Sequence, residues 1–276
     1  MPDVIAPTEE AILRALGRFH YLNSKHLLRL GIANRPGPIQ ESLKVLRERS
    51  PSLVRALDFG VLPTVGRLPI LYCLTERGAG LLIETGVSEE HAQSVKSSHL
   101  FANDYAHRCM CVDLHITLAL WCDTVGAELD CYRSYYSRGR SDGTTAKQAT
   151  ALTVSGEQFI PDAVFKFTMP DGLSRLCVFE LHNGDDAKRL LRQVNAYCNP
   201  AVWRRIEDAY DYENAVRLLL IFEKPKTLQR FRQLAAKEST VAASARRIFA
   251  KTHSDIMSDF LEGWEGVATD ESRPLF

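Results

Sequence analysis

The stretch QFIPDAVFKFTMPDGLSRLCVFELHNG, residues 158–184, predicts two apolar strands joined by a Pro-Asp-Gly turn. Each strand carries one carboxylate, Asp162 in the first and Glu180 in the second. Both lie nine residues from Asp171, at the centre of the turn, so a symmetric hairpin places them directly opposite each other. Two like charges at that spacing are destabilising unless a cation lies between them, and hard oxygen ligands suit Mg²⁺ or Mn²⁺. The alternative is a β-bulge, which would shift the register by one residue and separate the pair.

The whole chain has the length and composition of about two globular domains. It contains 276 residues, of which 45% are hydrophobic and 25% charged. Its 34 basic and 34 acidic residues cancel, so net charge alone does not indicate a nucleic-acid partner. We expect no membrane segment and a cytoplasmic location, because long apolar runs and a signal-peptide pattern are absent. The seven cysteines have no CxxC spacing, which predicts buried free thiols.

The first ninety residues predict three short helices, over 8–22, 24–31 and 37–50, then two strands around a Gly/Pro-rich segment and a closing helix. This order resembles the winged helix-turn-helix of many bacterial DNA-binding regulators, whose third helix lies in the major groove. Basic and amide side chains on the third helix suit phosphates and base edges, whereas a protein-docking module is the alternative. The expected DNA contacts are Gln40, Ser42, Lys44, Arg47 and Arg49, with Arg67 at the tip of the wing.

The remaining two thirds predict a second domain. Residues 86–98 are polar and favour a linker, so we predict domains over 1–88 and 98–240 and a helical, acidic tail over 241–276. The predicted elements of the second domain are a helix over 99–122, a strand over 127–135, a polar loop over 137–150, the carboxylate hairpin, a helix over 185–198, a strand over 216–223 and a helix over 226–238.

This order resembles the core of the PD-(D/E)xK nuclease superfamily, a restriction-endonuclease-like mixed sheet flanked by helices. The fold class is therefore expected to be a two-domain α+β/α/β protein. Pro161-Asp162 and Glu180-Leu181-His182 match the two motif elements, with His182 where lysine is usual. Gln193-x-x-x-Tyr197 resembles the signature of the RecB-like branch. The resemblance implies that Asp162 and Glu180 hold Mg²⁺ (or Mn²⁺). It also implies a catalytic set of Asp162, Glu180, His182, Gln193 and Tyr197.

Three further side-chain groups offer alternatives around this site. Lys188 or Arg192, on the following helix, would supply the positive charge that His182 lacks. Glu128 is an additional candidate ligand, although an exposed acid at a sheet edge is the default interpretation. A covalent relaxase mechanism would use a tyrosine, and packing or base stacking is the alternative role. The tyrosines in question are Tyr132, Tyr135 and Tyr136.

A winged helix joined to such a core resembles the replication-relaxation family, the MobC type of plasmid mobilisation proteins, over residues 8–223. The resemblance implies binding to duplex DNA at a plasmid or mobile-element origin and metal-dependent nicking of one strand there. It also implies a homodimer or other mobilisation proteins as partners. The alternatives are a non-catalytic replication or transfer factor and a winged-helix transcriptional regulator.

Overall fold

The computed structural model describes residues 5–63, 65–94, 102–137, 148–267 and 272–275. The chain forms two compact units, residues 1–116 and 117–276. The predicted boundary lay at 86–98, and residues 95–98 of that segment are outside the described residues. Among the described residues, no helix combines the length and apolar character needed to cross a lipid bilayer.

The first unit contains helices and two small antiparallel pairs of strands. Its core is apolar, with Ile12, Leu16 and Leu43 at most 1% exposed. Strand β1 pairs with β4, and β2 pairs with β3. The elements are α1 (Pro7–Phe19), α2 (Ser24–Arg29), α3 (Pro36–Glu48), β1 (Val54–Leu57), β2 (Val61–Leu62), β3 (Gly66–Arg67), β4 (Leu71–Leu74), α4 (Glu76–Glu84) and the start of α5 (Ala102–Val125).

Local capping explains where these helices begin. The Asn23 side chain accepts the backbone N–H of His26 at 3.0 Å, and the His26 ring accepts the N–H of Asn23 at 3.2 Å, which starts α2. Pro36 stands in the first turn of α3, where a missing N–H is harmless. Thr75 caps α4 by accepting the N–H of Gly78 at 3.1 Å. The predicted order of three helices, two strands and a closing helix is present, while the β2–β3 pair inside the Gly/Pro-rich segment was not predicted.

The second unit is built on a seven-stranded mixed sheet. The spatial order is β13-β12-β11-β10-β9-β8-β5. Its elements are β5 (Glu128–Ser134), β6 (Leu152–Val154), β7 (Glu157–Phe159), β8 (Ala163–Thr168), β9 (Ser174–His182), α6 (Ala187–Tyr197), α7 (Pro200–Ala209), β10 (Arg217–Phe222), α8 (Pro225–Ala235), α9 (Ser239–Ala243), β11 (Ile248–Thr252), α10 (His253–Ser258), β12 (Trp264–Gly266) and β13 (Ser272–Arg273).

Strand directions follow from the connections. Strands β5, β8 and β9 are antiparallel neighbours, as expected for strands joined by tight turns. A helical crossover separates β9 from β10, and these two strands are parallel. These strands form an antiparallel meander, followed by a crossover helix and a parallel fourth strand, which agrees with the expected mixed sheet. One face of the sheet packs on α6, α7 and α8 through a core that includes Val164, Val178 and Tyr197. The opposite face packs Phe165 and Phe167 near Trp121 and Phe260.

The prediction of a helical tail over 241–276 was wrong for much of that segment. Residues Ile248–Thr252 form β11, all five of which are buried, and β12 and β13 extend the same sheet. The segment is acidic overall, so its composition did not indicate the short apolar strand that pairs with β10. Sequence patterns also missed the β6–β7 hairpin and α7, because their apolar side chains are spread over short segments.

Candidate functional site

The carboxylate hairpin has the predicted register. Ala163 pairs with Phe179, and the ladder runs without a shift to Thr168 and Ser174. One step beyond Ala163 the same register sets Asp162 opposite Glu180. Asp162 Oδ2 also accepts the backbone N–H of Leu181 at 2.7 Å, which holds that carboxylate at the strand end. The bulge considered for this hairpin lies instead between β5 and β8, where the register shifts between Glu128 and Cys131.

Glu180 is a buried carboxyl group, only 4% exposed. The Tyr197 hydroxyl donates to Glu180 Oε1, and the Gln193 side chain also bonds to Glu180. Burial raises the pKa of Glu180 well above its ordinary value of 4.5, and the nearby Asp162 charge raises it further. The hydrogen bonds from Tyr197 and Gln193 lower that pKa and only partly oppose the increase. Glu180 and Asp162 are therefore electrostatically coupled groups.

Helix α6 brings the polar pair Gln193 and Tyr197 to this carboxyl. The Asp186 side chain starts the helix by accepting the N–H of Arg189 at 2.9 Å. Residues four apart on a helix lie on the same side, so Gln193 and Tyr197 approach one point on the sheet. Tyr197 is 2% exposed and its ring lies 6.0 Å from that of Phe159. The resemblance placed Gln193 and Tyr197 in one set with Glu180, and the structure brings the three side chains together.

His182 lies two residues beyond Glu180, on the same face of β9. Its ring is half-buried and packs edge-on against the Phe222 ring at 5.9 Å. Burial lowers the pKa of His182 below its ordinary 6.5, and the Arg189 charge lowers it further. Its Nε2 atom has no hydrogen-bond partner in the described part of the chain. Nor does any hydrogen bond join His182 to Asp162 or Glu180 among those residues. The imidazole is therefore neutral at pH 7, and its Nε2 atom is buried.

The donor set at the hairpin limits which metal ion it suits. No group of three or more His, Cys, Asp or Glu side chains is placed to hold a metal ion within the described ranges. Zinc, which takes four protein or water ligands including His and Cys, does not fit. Mg²⁺ is commonly held by one or two carboxylates together with waters and substrate phosphates, so Asp162 and Glu180 fit an ion of that kind. Glu128 pairs with Thr168, which lies six residues beyond Asp162 along the chain. At ~3.3 Å per residue in a strand, Glu128 is therefore about 20 Å from Asp162. It is therefore not a third ligand.

The other side chains considered for the site are dispersed. Lys188 and Arg192 are exposed on α6, and the structure records no contact of either with the carboxylates. Tyr132 stacks on Phe165 at 6.2 Å, on the opposite face of the sheet from Glu180. Tyr135 lies beside the site, because its backbone N–H donates to the carbonyl of Asp162 at 3.0 Å. Tyr136 packs against the Tyr135 ring at 5.1 Å.

The first unit presents a second candidate surface on α3. Gln40, Lys44 and Arg47 are exposed there, and Ser42 is partly buried. Lys44 and Arg47 line one side of a groove of about 440 Å³, and Arg55 from β1 lines the other. Sequence reasoning missed Arg55. Arg55 is exposed next to the buried Val54, but the sequence of β1 alone does not indicate that α3 lies beside it.

Two of the expected DNA contacts have intramolecular partners. Arg49 lies just beyond the end of α3, and its Nη2 is 3.0 Å from Glu9 Oε2. Because this side chain is only 23% exposed, we leave Arg49 out of the interface. Arg67, on β3, pairs with Asp58 at 2.5 Å but remains 67% exposed. That surface pair is weak, so Arg67 stays accessible to a polyanion.

No protein-family model, curated protein or solved structure matches the chain.

Proposed function

We propose that this is a DNA-binding protein whose first unit is a winged helix that places α3 in the major groove of duplex DNA. The observation that carries the proposal is the groove between α3 and β1. Lys44, Arg47 and Arg55 line it, and none of the three forms an ion pair with a described residue. Cations without intramolecular partners gain most from binding phosphates, because each contact releases condensed counterions.

The chemistry of α3 favours DNA over a protein partner. Gln40 is exposed one turn before Lys44, and amide side chains read base edges in the major groove. Glu48 is the single acidic side chain that lines the groove, against three cations. Among the described residues that line the groove, the apolar ones are Val54 and Ala56, which do not form the apolar patch that a protein partner would use. The β2–β3 hairpin, with Arg67, would be the wing that contacts the adjacent backbone.

The test is duplex binding by the full chain at a fixed salt concentration. The variant Lys44→Gln/Arg47→Gln/Arg55→Gln should lose most of its affinity. The matched control Arg14→Gln/Arg18→Gln/Arg77→Gln removes the same charge from α1 and α4 and should retain it. Gln40→Ala should reduce discrimination between duplex sequences more than total affinity. Equal affinity of the two triple variants would place the DNA contact elsewhere.

A second function, phosphodiester cleavage, is favoured by one observation in the second unit. Asp162 and Glu180 are opposed on one face of the sheet, and their proximity raises the pKa of Glu180. Bound Mg²⁺ or Mn²⁺ would supply Lewis-acid stabilisation of the charge that develops on a phosphate. Asp162 and Glu180 would hold the ion, while Tyr197 and Gln193 orient Glu180 through their hydrogen bonds. Neutral His182, two residues beyond Glu180 on the same face of β9, would act as general base toward the attacking water.

The resemblance to plasmid mobilisation proteins suggests the substrate for this test. A supercoiled plasmid that carries an origin of transfer should be nicked in Mg²⁺ and not in EDTA, as expected of a protein that acts on plasmids in the cytoplasm. Asp162→Asn and Glu180→Gln should abolish nicking and leave duplex binding intact. If the wild-type protein binds DNA but never nicks, the second unit is a non-catalytic part of a replication or transfer factor. Footprints at promoters instead of origins would indicate a transcriptional regulator.

A further inference from the structure

Helices α6 and α8 of the second unit pack against each other and present one continuous exposed surface. The exposed residues within these helices carry no acidic and no aromatic side chain. The cations among them are Lys188, Arg189, Arg192, Lys226 and Arg230. The remaining exposed residues are Gln, Asn, Ala and Pro. A solvated face usually mixes both signs of charge, so a wholly basic and amide surface is unusual.

The two helices contribute to one concavity. Lys188 from α6 and Arg230 from α8 line a cavity of about 360 Å³, together with Asp185 and Asp186. Both acids already have partners. Asp185 Oδ2 pairs with Lys224 Nζ at 2.8 Å, and Asp186 caps α6 through the N–H of Arg189. Lys188, Arg192 and Arg230 form no side-chain ion pair with a described residue. Lys224 balances Asp185, and Asp186 offsets one cation, because the N–H of Arg189 lowers its pKa and the charges of Arg192 and Arg189 both lower it further. The five exposed cations of the two helices still leave the surface with an excess of positive charge.

The same helix connects this surface to the carboxylate hairpin. On its buried side α6 carries Tyr197, whose hydroxyl donates to Glu180. On its exposed side, Lys188 and Arg192 are four residues apart and lie one above the other. A ligand bound along the exposed side would thus lie one helix width from the face that holds Asp162 and Glu180. That width, about 10 Å, is smaller than the diameter of a DNA duplex.

We infer that the α6–α8 surface, through Lys188, Arg192 and Arg230, is a second DNA-binding site that contacts the sugar-phosphate backbone of a duplex. Isolated cations and amides suit phosphates and carry little sequence information. Single strands are bound through stacking on aromatic side chains, and neither helix exposes one. The inference deepens the proposed function and rests on it for the identity of the ligand as DNA. It does not depend on cleavage, because backbone binding needs no metal ion.

The test is the salt dependence of duplex binding by the full chain in EDTA. The variant Lys188→Gln/Arg192→Gln/Arg230→Gln should make the slope of log K against log salt shallower by about 2.7, since each lost phosphate contact removes about 0.9. The matched control Arg204→Gln/Arg205→Gln/Arg246→Gln removes three exposed cations from other segments of the unit and should leave the slope unchanged. All six changes are on exposed side chains, so thermal melts should be the same for both variants and the wild type.

The possible results separate this inference from the proposed function. If only the α3-groove variant changes the slope, the α6–α8 inference is overturned and the winged-helix proposal stands. If only the α6–α8 variant changes it, the inference stands and the α3 contact is overturned. A change confined to a single-stranded oligonucleotide of equal length would assign the surface to unpaired DNA and overturn the inference. Absence of wild-type binding to any duplex would overturn both.

Discussion

Replacing Glu180 by glutamine should change how the stability of the fold depends on pH. The amide keeps the shape of the side chain and can still accept the Tyr197 hydroxyl, but it cannot ionise. In the wild-type protein, burial and the charge of Asp162 raise the pKa of Glu180 above 4.5. The unfolded chain has neither influence, so its Glu180 ionises near the ordinary value. The variant therefore isolates the contribution of one proton.

The sign of the effect follows from which state binds the proton. Above about pH 4.5 the carboxyl ionises in the unfolded chain before it does so in the folded protein, so the folded state holds more protons. The wild-type free energy of unfolding should then fall, relative to that of Glu180→Gln, by up to about 1.4 kcal/mol per pH unit. The fall continues until pH passes the folded pKa. Relief of the like-charge pair with Asp162 is worth up to roughly 1 kcal/mol at pH values where both groups would be ionised.

The assay is urea unfolding of the wild type and Glu180→Gln at pH 4.5, 5.5, 6.5 and 7.5 in EDTA, with Glu128→Gln as the matched control. Glu128 is exposed on the edge strand, so its replacement should leave the pH dependence close to that of the wild type. Adding Mg²⁺ should stabilise the wild type at neutral pH and have less effect on Glu180→Gln, because ligand binding to the folded state raises its stability. Parallel curves for wild type and Glu180→Gln across the pH range would refute a raised pKa of Glu180 in the folded protein.

Three further predictions concern side chains around the two units. Tyr197→Phe should cost about 1–3 kcal/mol in urea unfolding, because it removes the donor to a buried carboxyl. The cost should shrink in a Glu180→Leu background, which has no acceptor, and equal costs in both backgrounds would contradict the pairing. Nicking should decline as pH falls below about 6.5, since burial lowers the pKa of His182 and the ring gains a proton only below that value. His182→Lys should keep some activity where His182→Ala does not. A flat pH profile would remove His182 from the mechanism. Burial lowers the pKa of His20 to about 4, so the unfolded chain takes up its proton first and stability should fall between about pH 6.5 and 4. His20→Gln, which keeps a polar side chain without an ionisable ring, should reduce this loss, and an unchanged acid profile would show that His20 does not contribute.

The carboxylate site was predictable because its determinants are local. The Asp171 side chain accepts the N–H of Leu173 at 2.9 Å, and Gly172 adopts a φ of +85°, so the turn itself sets the register of the strands on either side. Helical spacing alone then brings Gln193 and Tyr197 to one side of α6. The arrangement of β5, β8, β9 and β10 agrees with what the family resemblance implied, whereas β11, β12 and β13 were not predicted.

The parts that were missed depend on contacts between distant residues. Arg49 looked like a DNA contact at the end of a basic helix, but it pairs with Glu9, forty residues away along the chain. Arg55 joins Lys44 and Arg47 only because β1 lies beside α3. The five buried residues of β11 were predicted to be part of an acidic tail, because their strand forms only by pairing with β10. No local pattern encodes any of these three juxtapositions.

The measurement that tests the central claim most directly is the affinity of the full chain for duplex DNA at 50 and 200 mM salt. It should be made for the wild type and for Lys44→Gln/Arg47→Gln/Arg55→Gln. If all three cations contact phosphates, the wild-type affinity should fall about 40-fold more than the variant's over this fourfold change in salt, as expected for a slope difference of about 2.7. An identical fall for the two proteins would show that the groove between α3 and β1 does not bind the DNA backbone, and would contradict the account.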